Sequence, residues 1–349
     1  MADPLAPLAD RPVPAGTLSA PAPATGLIEG FVADGRGGAV PLDADELQAN
    51  PLLRPPDGGY VWMHFALEAA RGWVPANLDL EEDTLRALFA DETRPRCTRK
   101  NGALLMNLRG VNLNEGAALE DMVSLRIHLT PTRLVTVRRQ KSVAVEEIRL
   151  EMRAGIAPPD PATLTLRIIA GLTDRIEPVV DELSDRVDAY EDLSITQGSV
   201  DLRADLSAMR HDAIVFRRYV APQREAVARF AANDTDLLPE EALSAAREEA
   251  DRVTRVVEEL DIVRERAAVI QDQIAARRAD EMNRNMMIIS VVSAVFLPLG
   301  FLTGLLGINV GGMPGAENPV AFWLVVLLCA GLGALLMVLF KRMGWLSRS

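Results

Sequence analysis

Residues 286–308, MMIISVVSAVFLPLGFLTGLLGI, and residues 320–340, VAFWLVVLLCAGLGALLMVLF, decide the fold. Between Met286 and Phe340 the only charged side chain is Glu317. A helix needs about 20 apolar residues to cross the hydrocarbon core of a bilayer, and each run is long enough. Only residues 309–319 separate them. Two charge-free runs so close together fit a pair of transmembrane helices with a tight connection better than two buried core helices.

The flanking charges orient the pair. Arg277, Arg278 and Arg284 precede the first run, and Lys341, Arg342 and Arg348 follow the second, whereas the connection carries no Lys or Arg. Basic residues beside a span stay on the cytoplasmic side, so both termini are expected there, with a short loop outside.

Reading toward the N-terminus, no proline or glycine occurs from Glu240 through Leu297. Val253, Val256, Leu260, Val263, Ala267, Ile270 and Ile274 recur at alternating steps of three and four, the seam of a helix packed along partner helices. One helix is therefore expected to run from Glu240 into the first span, some 65 residues or roughly 100 Å at 1.5 Å per residue. Upstream the pattern is helical from about Ala162, with breaks at Gln197–Ser199 and Asn233–Pro239. Pro222 lies inside FRRYVAPQREAVARF, where it must kink or interrupt the helix.

From Leu27 to about Ile156 short apolar runs alternate with turn signals. YVWMHFAL, GALLMNLRGVNL, MVSLRIHLT and RLVTVRR have strand character, and LDLEEDTLRALFADE has helical spacing with an acidic start. DGRGG lacks the spacing of a phosphate-binding loop and suits a hairpin turn. The first 26 residues are rich in proline and alanine, with no basic segment leading into an apolar core, so a disordered tail is expected rather than a secretory signal. The two cysteines, Cys97 and Cys329, are far apart and suggest no disulfide framework.

The net charge of −12 rises in magnitude to −14 over residues 1–285 once Glu317, Lys341, Arg342 and Arg348 are set aside. An acidic body is unsuited to nucleic acid. It could concentrate cations near a pore mouth, and solubility explains the same charge.

The first run ends in Gly307-Ile308-Asn309, at the outer end of a long helix and before a short loop and a second C-terminal span. This arrangement resembles the CorA superfamily of divalent-cation transporters and its GMN/GxN signature. GINVGGMPG is similar in particular to the zinc-transporting ZntB branch, and so are Asp34–Gly38 (DGRGG), Glu92–Arg96 (ETRPR) and Arg217–Arg224 (RRYVAPQR). Ile308 stands where the magnesium branch has Met, which supports the zinc branch. The resemblance covers nearly everything after the tail.

It implies an α+β membrane protein: a cytosolic α/β domain, a long helical stalk and two C-terminal transmembrane helices, assembled as a homopentamer in the inner membrane. The expected divisions are tail 1–26, α/β domain 27–160, helical and stalk region 161–285, pore-lining span 286–308, periplasmic loop 309–319, second span 320–340 and cytosolic tail 341–349. It also implies zinc import, proposed to be coupled to protons, with Gly307, Ile308 and Asn309 selecting the ion.

On a helix, Asn283, Met286, Ile289 or Ser290, Ser293, Leu297, Gly300, Gly304 and Ile308 fall on one stripe, which matches the superfamily's pore-lining face. Met286, Ile289 and Leu297 could form apolar gates, and Ser and Gly also suit ordinary packing between span helices. A ring of Glu317 could attract cations from outside.

Zinc prefers Cys, His and carboxylate ligands, and the first span holds none of them. His64, His128 and His211 are at unrelated spacings, so no metal ligand set is assigned and no cofactor is expected beyond the transported cation. A magnesium, cobalt or nickel channel of the same superfamily is the nearest alternative. A membrane-anchored metal sensor or scaffold is an alternative of another class. No nucleophile–base pair or metal triad suggests an enzyme.

Overall fold

The computed structural model describes residues 25–91, 93–117, 121–196, 202–232, 237–308, 315 and 318–343. Two compact units result, Met1–Ile270 and Gln271–Ser349.

The first unit is built on seven strands: β1 (Leu27–Ala33), β2 (Ala39–Leu42), β3 (Tyr60–Ala66), β4 (Arg96–Lys100), β5 (Ala103–Gly110), β6 (Val123–Thr130) and β7 (Arg133–Arg138). Their order is β2-β1-β3-β7-β6-β5-β4; β3 and β7 are parallel and every other pair is antiparallel. The parallel pair lies at the centre, where both faces are covered, which explains why β3 is apolar nearly throughout instead of alternating.

On one face Val61, Met63, Phe65, Val135 and Val137 pack under four short helices: α1 (Ala44–Ala49), α2 (Leu67–Ala70), α3 (Trp73–Asn77) and α4 (Glu82–Leu88). The alternate β3 residues Tyr60, Trp62 and His64 point the other way. Helices α5 (Val143–Arg153) and α6 (Pro161–Thr196) lie there, α6 packing across β3, β5, β6 and β7. The Tyr60 hydroxyl donates to the Pro158 carbonyl at 3.0 Å, and Trp62 stacks on Phe31.

At the centre of this layer Thr136 Oγ1 accepts from Trp62 Nε1 at 2.9 Å and shares a 2.7 Å bond with His64 Nδ1. All three side chains are fully buried. Burial holds the His64 imidazole well below the usual histidine range, and Arg138 and Arg149 push it the same way.

DGRGG is the β1–β2 turn. Asp34 Oδ1 accepts from the backbone N–H groups of Arg36 and Gly38, at 2.7 and 2.9 Å. Gly35 has φ +71, and a Cβ there would sit 2.0 Å from the Gly58 carbonyl oxygen, so only glycine fits. Thr25 and Gly26, inside the stretch assigned to the tail, already belong to the fold: Thr25 is buried and the Gly26 carbonyl accepts from Ala66 N. Residues 1–24 lie outside the described residues.

Helix α7 (Arg203–Ala231) continues through Pro222, so of the two expected outcomes, a kink or an interruption, the interruption does not occur. Helix α8 (Glu240–Leu306) is a single 67-residue helix, and α9 (Val320–Arg342) follows. Within the first unit the seam from Val253 to Ile270 is buried, with partners from the same chain. Glu177, Ser184 and Glu191 of α6 bond Arg252, Glu259 and Arg266 of α8, each pair 75 residues apart, so the two helices run parallel in fixed register. Arg217 of α7 pairs with Asp261 on α8 at 2.6 Å.

Candidate ion pathway

In the second unit, the C-terminal part of α8 and all of α9 are strongly apolar and almost wholly uncovered. Core helices of a soluble protein would be covered. Here the apolar surface is left facing outward, as a lipid-facing or subunit-facing surface would be.

The partly covered residues on α8 are Met287, Val291, Val295, Pro298, Leu299 and Leu302. On α9 the corresponding set is Ala321, Val325, Cys329, Leu332, Gly333, Leu336 and Phe340. These stripes face each other: a Cβ added to Gly333 would lie 3.9 Å from Leu299 Cδ1. Small residues in the α9 stripe permit the close approach.

Asn283, Met286, Ile289, Ser290, Ser293, Leu297, Gly300, Gly304 and Ile308 are all exposed. At about 100° per residue, they centre roughly opposite the α9-facing stripe. Leu297 is 76% exposed and Ile289 65%. Nothing lies within 4 Å of a Cβ built on Gly300 or Gly304. The structure thus brings the expected stripe onto one continuous face that the chain's own second span does not touch.

Local chemistry along that face is mild. The Ser290 hydroxyl donates to the Met286 carbonyl at 2.8 Å, and the Thr303 hydroxyl to the Leu299 carbonyl at 3.0 Å, so these groups are satisfied by their own helix. Pro298 has no N–H, which leaves the Ala294 carbonyl without its usual helical donor. Gly307 N donates to the Thr303 carbonyl at 2.9 Å as α8 ends, and a Cβ on Gly307 would stand 3.0 Å from that oxygen. Asn309 and Glu317 lie outside the described residues, as do 310–314, 316 and the tail from 344.

Among the described residues no group of three or more His, Cys, Asp or Glu side chains is placed to hold a metal. His64 and His128 are buried in the sheet and His211 is exposed. Burial, aided by Arg133, pushes the His128 imidazole down to about 4.

Sequence reasoning missed the charged ladder on α6 and α8. Arg252 meets Asp174 and Glu177 at 2.6 Å and Glu249 at 2.9 Å, and the bonds from Glu177 and its neighbours hold its guanidinium well above the usual arginine range. A signal was present: Asp174, Glu177, Asp181, Ser184, Asp188 and Glu191 recur at steps of three and four, and Arg252, Glu259 and Arg266 at steps of seven.

Comparison with known proteins gives a consistent result. The family model described as CorA-like Mg2+ transporter protein matches residues 57–342. The divalent cation transporter CmaX of Pseudomonas aeruginosa is 35% identical over 326 residues, covering 92% of this chain and 97% of that protein. The zinc transport protein ZntB of Pectobacterium atrosepticum is 30% identical over 328 residues, again 92% of this chain and 97% of that protein. The structure of full-length CmaX aligns with a TM-score of 0.78 at 34% identity, over 92% of this chain and 98% of that one.

Proposed function

The chain belongs to the CorA-like Mg2+ transporter family, and from that membership we propose that it carries zinc into the cell through a homopentameric pore lined by the exposed stripe of α8. The family is one of transporters, not enzymes. The observation that carries the reading is the orientation of the stripe. Its residues face away from α9, uncovered along the whole span, which is the face five copies around an axis would turn inward.

The ion crosses largely hydrated. Stripping water from a divalent cation without replacing its ligands is prohibitive, and residues 286–308 contain no Cys, His, Asp or Glu. Met286, Ile289 and Leu297 narrow the path as apolar rings, while Gly300 and Gly304 leave room toward the outside. At the mouth, Asn309 carboxamides accept hydrogen bonds from the ion's water shell, Gly307 and Ile308 shape the turn that presents them, and Glu317 draws cations to the loop.

Uptake into proteoliposomes tests this reading. Zinc should enter and be competed by cobalt, nickel and cadmium at comparable concentrations, and an inward proton gradient should accelerate it. Magnesium entry without zinc entry would instead assign the chain to a magnesium channel. An unchanged zinc rate with and without the gradient would remove proton coupling alone.

A further inference from the structure

Two segments singled out in the sequence, ETRPR and RRYVAPQR, meet at a place the ion path does not explain. Strand β4 begins at Arg96, paired with Asn107, and the preceding Pro95 cannot donate to a further ladder. The outer backbone edge of β5 beyond Asn107 therefore has no strand beside it. Gln223 of α7 fills the gap: its buried Oε1 accepts from Arg109 N at 2.7 Å.

The Arg109 side chain gathers the neighbouring segments. Its Nη2 donates to the Thr93 carbonyl at 2.7 Å and its Nη1 to the Met122 carbonyl at 3.1 Å. Thr93 Oγ1 shares a 3.2 Å bond with Ser124 of β6. The same guanidinium lies 5.2 Å from the centre of the Tyr219 ring, which also carries Arg218 at 4.7 Å. Two residues before Tyr219, Arg217 pairs with Asp261 of α8 at 2.6 Å.

We propose that the Arg109–Tyr219–Gln223 junction and the Arg217–Asp261 pair make α7 a strut that positions α8 for ion passage, with Arg109 and Tyr219 as positioning residues. This rests on the transport reading, because α8 is the helix that bears the pore-lining stripe. The same two turns of α7 are fixed to the sheet by a backbone bond and a stacked guanidinium and meet the long helix at the Arg217–Asp261 pair, where Asp261 also bonds Arg264 of α8 at 3.3 Å. Pro222, directly before Gln223, removes one helical bond in α7 and leaves the Arg218 carbonyl without its usual donor, so the contacts with the sheet take over part of the work of fixing that turn.

The test uses the full chain in proteoliposomes. Tyr219→Leu removes the ring and Tyr219→Phe retains it. Changes in coupling of this kind move an equilibrium by about threefold to thirtyfold. Tyr219→Leu should therefore lower the maximal zinc uptake rate by at least about threefold with KM unchanged within about twofold, while Tyr219→Phe behaves as wild type. Arg217→Gln, which removes a half-exposed pair, should lower the maximal rate in the same way.

Amide exchange over residues 253–265, which needs no transport, should quicken in Tyr219→Leu and Arg217→Gln. If wild-type protein takes up no divalent cation yet exchange quickens, the transport reading fails and the strut stands as a mechanical element. If both variants fold, exchange and transport as wild type does, the proposal is overturned.

Discussion

Thr136→Val is a sensitive test of how the sheet is held together, because it changes hydrogen bonding while nearly preserving shape. Thr136 Oγ1 accepts from Trp62 Nε1 and bonds His64 Nδ1, and no part of the three residues is open to water. Valine leaves two buried polar groups without that partner. Each unsatisfied group costs about 1–3 kcal/mol, so the loss should be about 2 kcal/mol or more. Thr136→Ser keeps the hydroxyl and removes one methyl, worth about 1 kcal/mol. The assay is thermal unfolding of the purified full chain in detergent, followed by tryptophan fluorescence. The valine variant should lose about two to three times as many degrees as the serine variant. If packing alone mattered the order would reverse, so a valine variant that melts at or above the serine variant would refute the reasoning.

Three further outcomes follow from the structure. His128 is held neutral in the fold, at about 4 against an ordinary 6.5, so below pH 6.5 the unfolded chain binds more protons and stability falls as pH drops toward 4. About 2 kcal/mol should be lost by pH 5, with His64 adding in the same direction, and His128→Gln should flatten the decline in unfolding midpoint measured across that range. Replacing Leu260 and Val263 together by Asp puts two charges into the seam between α8 and its neighbours, at a cost of at least about 3 kcal/mol; the variant should fail to give a folded monomer, and unchanged stability in detergent would contradict the packing. A cysteine at Ala316 should react with an impermeant thiol reagent added outside, whereas one at Ser347 should not, and the opposite labelling would reverse the orientation.

The long helix and the two apolar runs were legible because their signals are local: a period of 3.6, the absence of glycine and proline before Pro298, and charge confined to the flanks. The stripe on α8 was legible for the same reason, since spacing alone puts Ser293, Leu297, Gly300 and Gly304 on one face. Which face it would be relative to α9 was not, because that depends on Leu299 meeting Gly333. β4 escaped the reading because ETRPRCTRK is charged throughout, and as an edge strand it buries only Cys97. Helix α5 was likewise passed over, its VAVEEIRLEMR pattern lying directly after a clear strand. The α6–α8 ladder shows the general limit: each half is periodic in the sequence, but the 75-residue offset that joins Glu177 to Arg252 exists only in the fold.

The central claim is that a hydrated divalent cation passes Gly307–Asn309 beyond the C-terminal end of α8, and zinc uptake by Asn309→Leu beside wild type tests it most directly. The variant should reach the proteoliposomes folded and in normal amount, yet take up no zinc, while wild-type uptake should be competed by cobalt, nickel and cadmium at similar concentrations. Normal uptake by Asn309→Leu would contradict the account. So would a wild-type preference for zinc of a thousandfold or more, about 4 kcal/mol of discrimination, which only a direct ligand could provide.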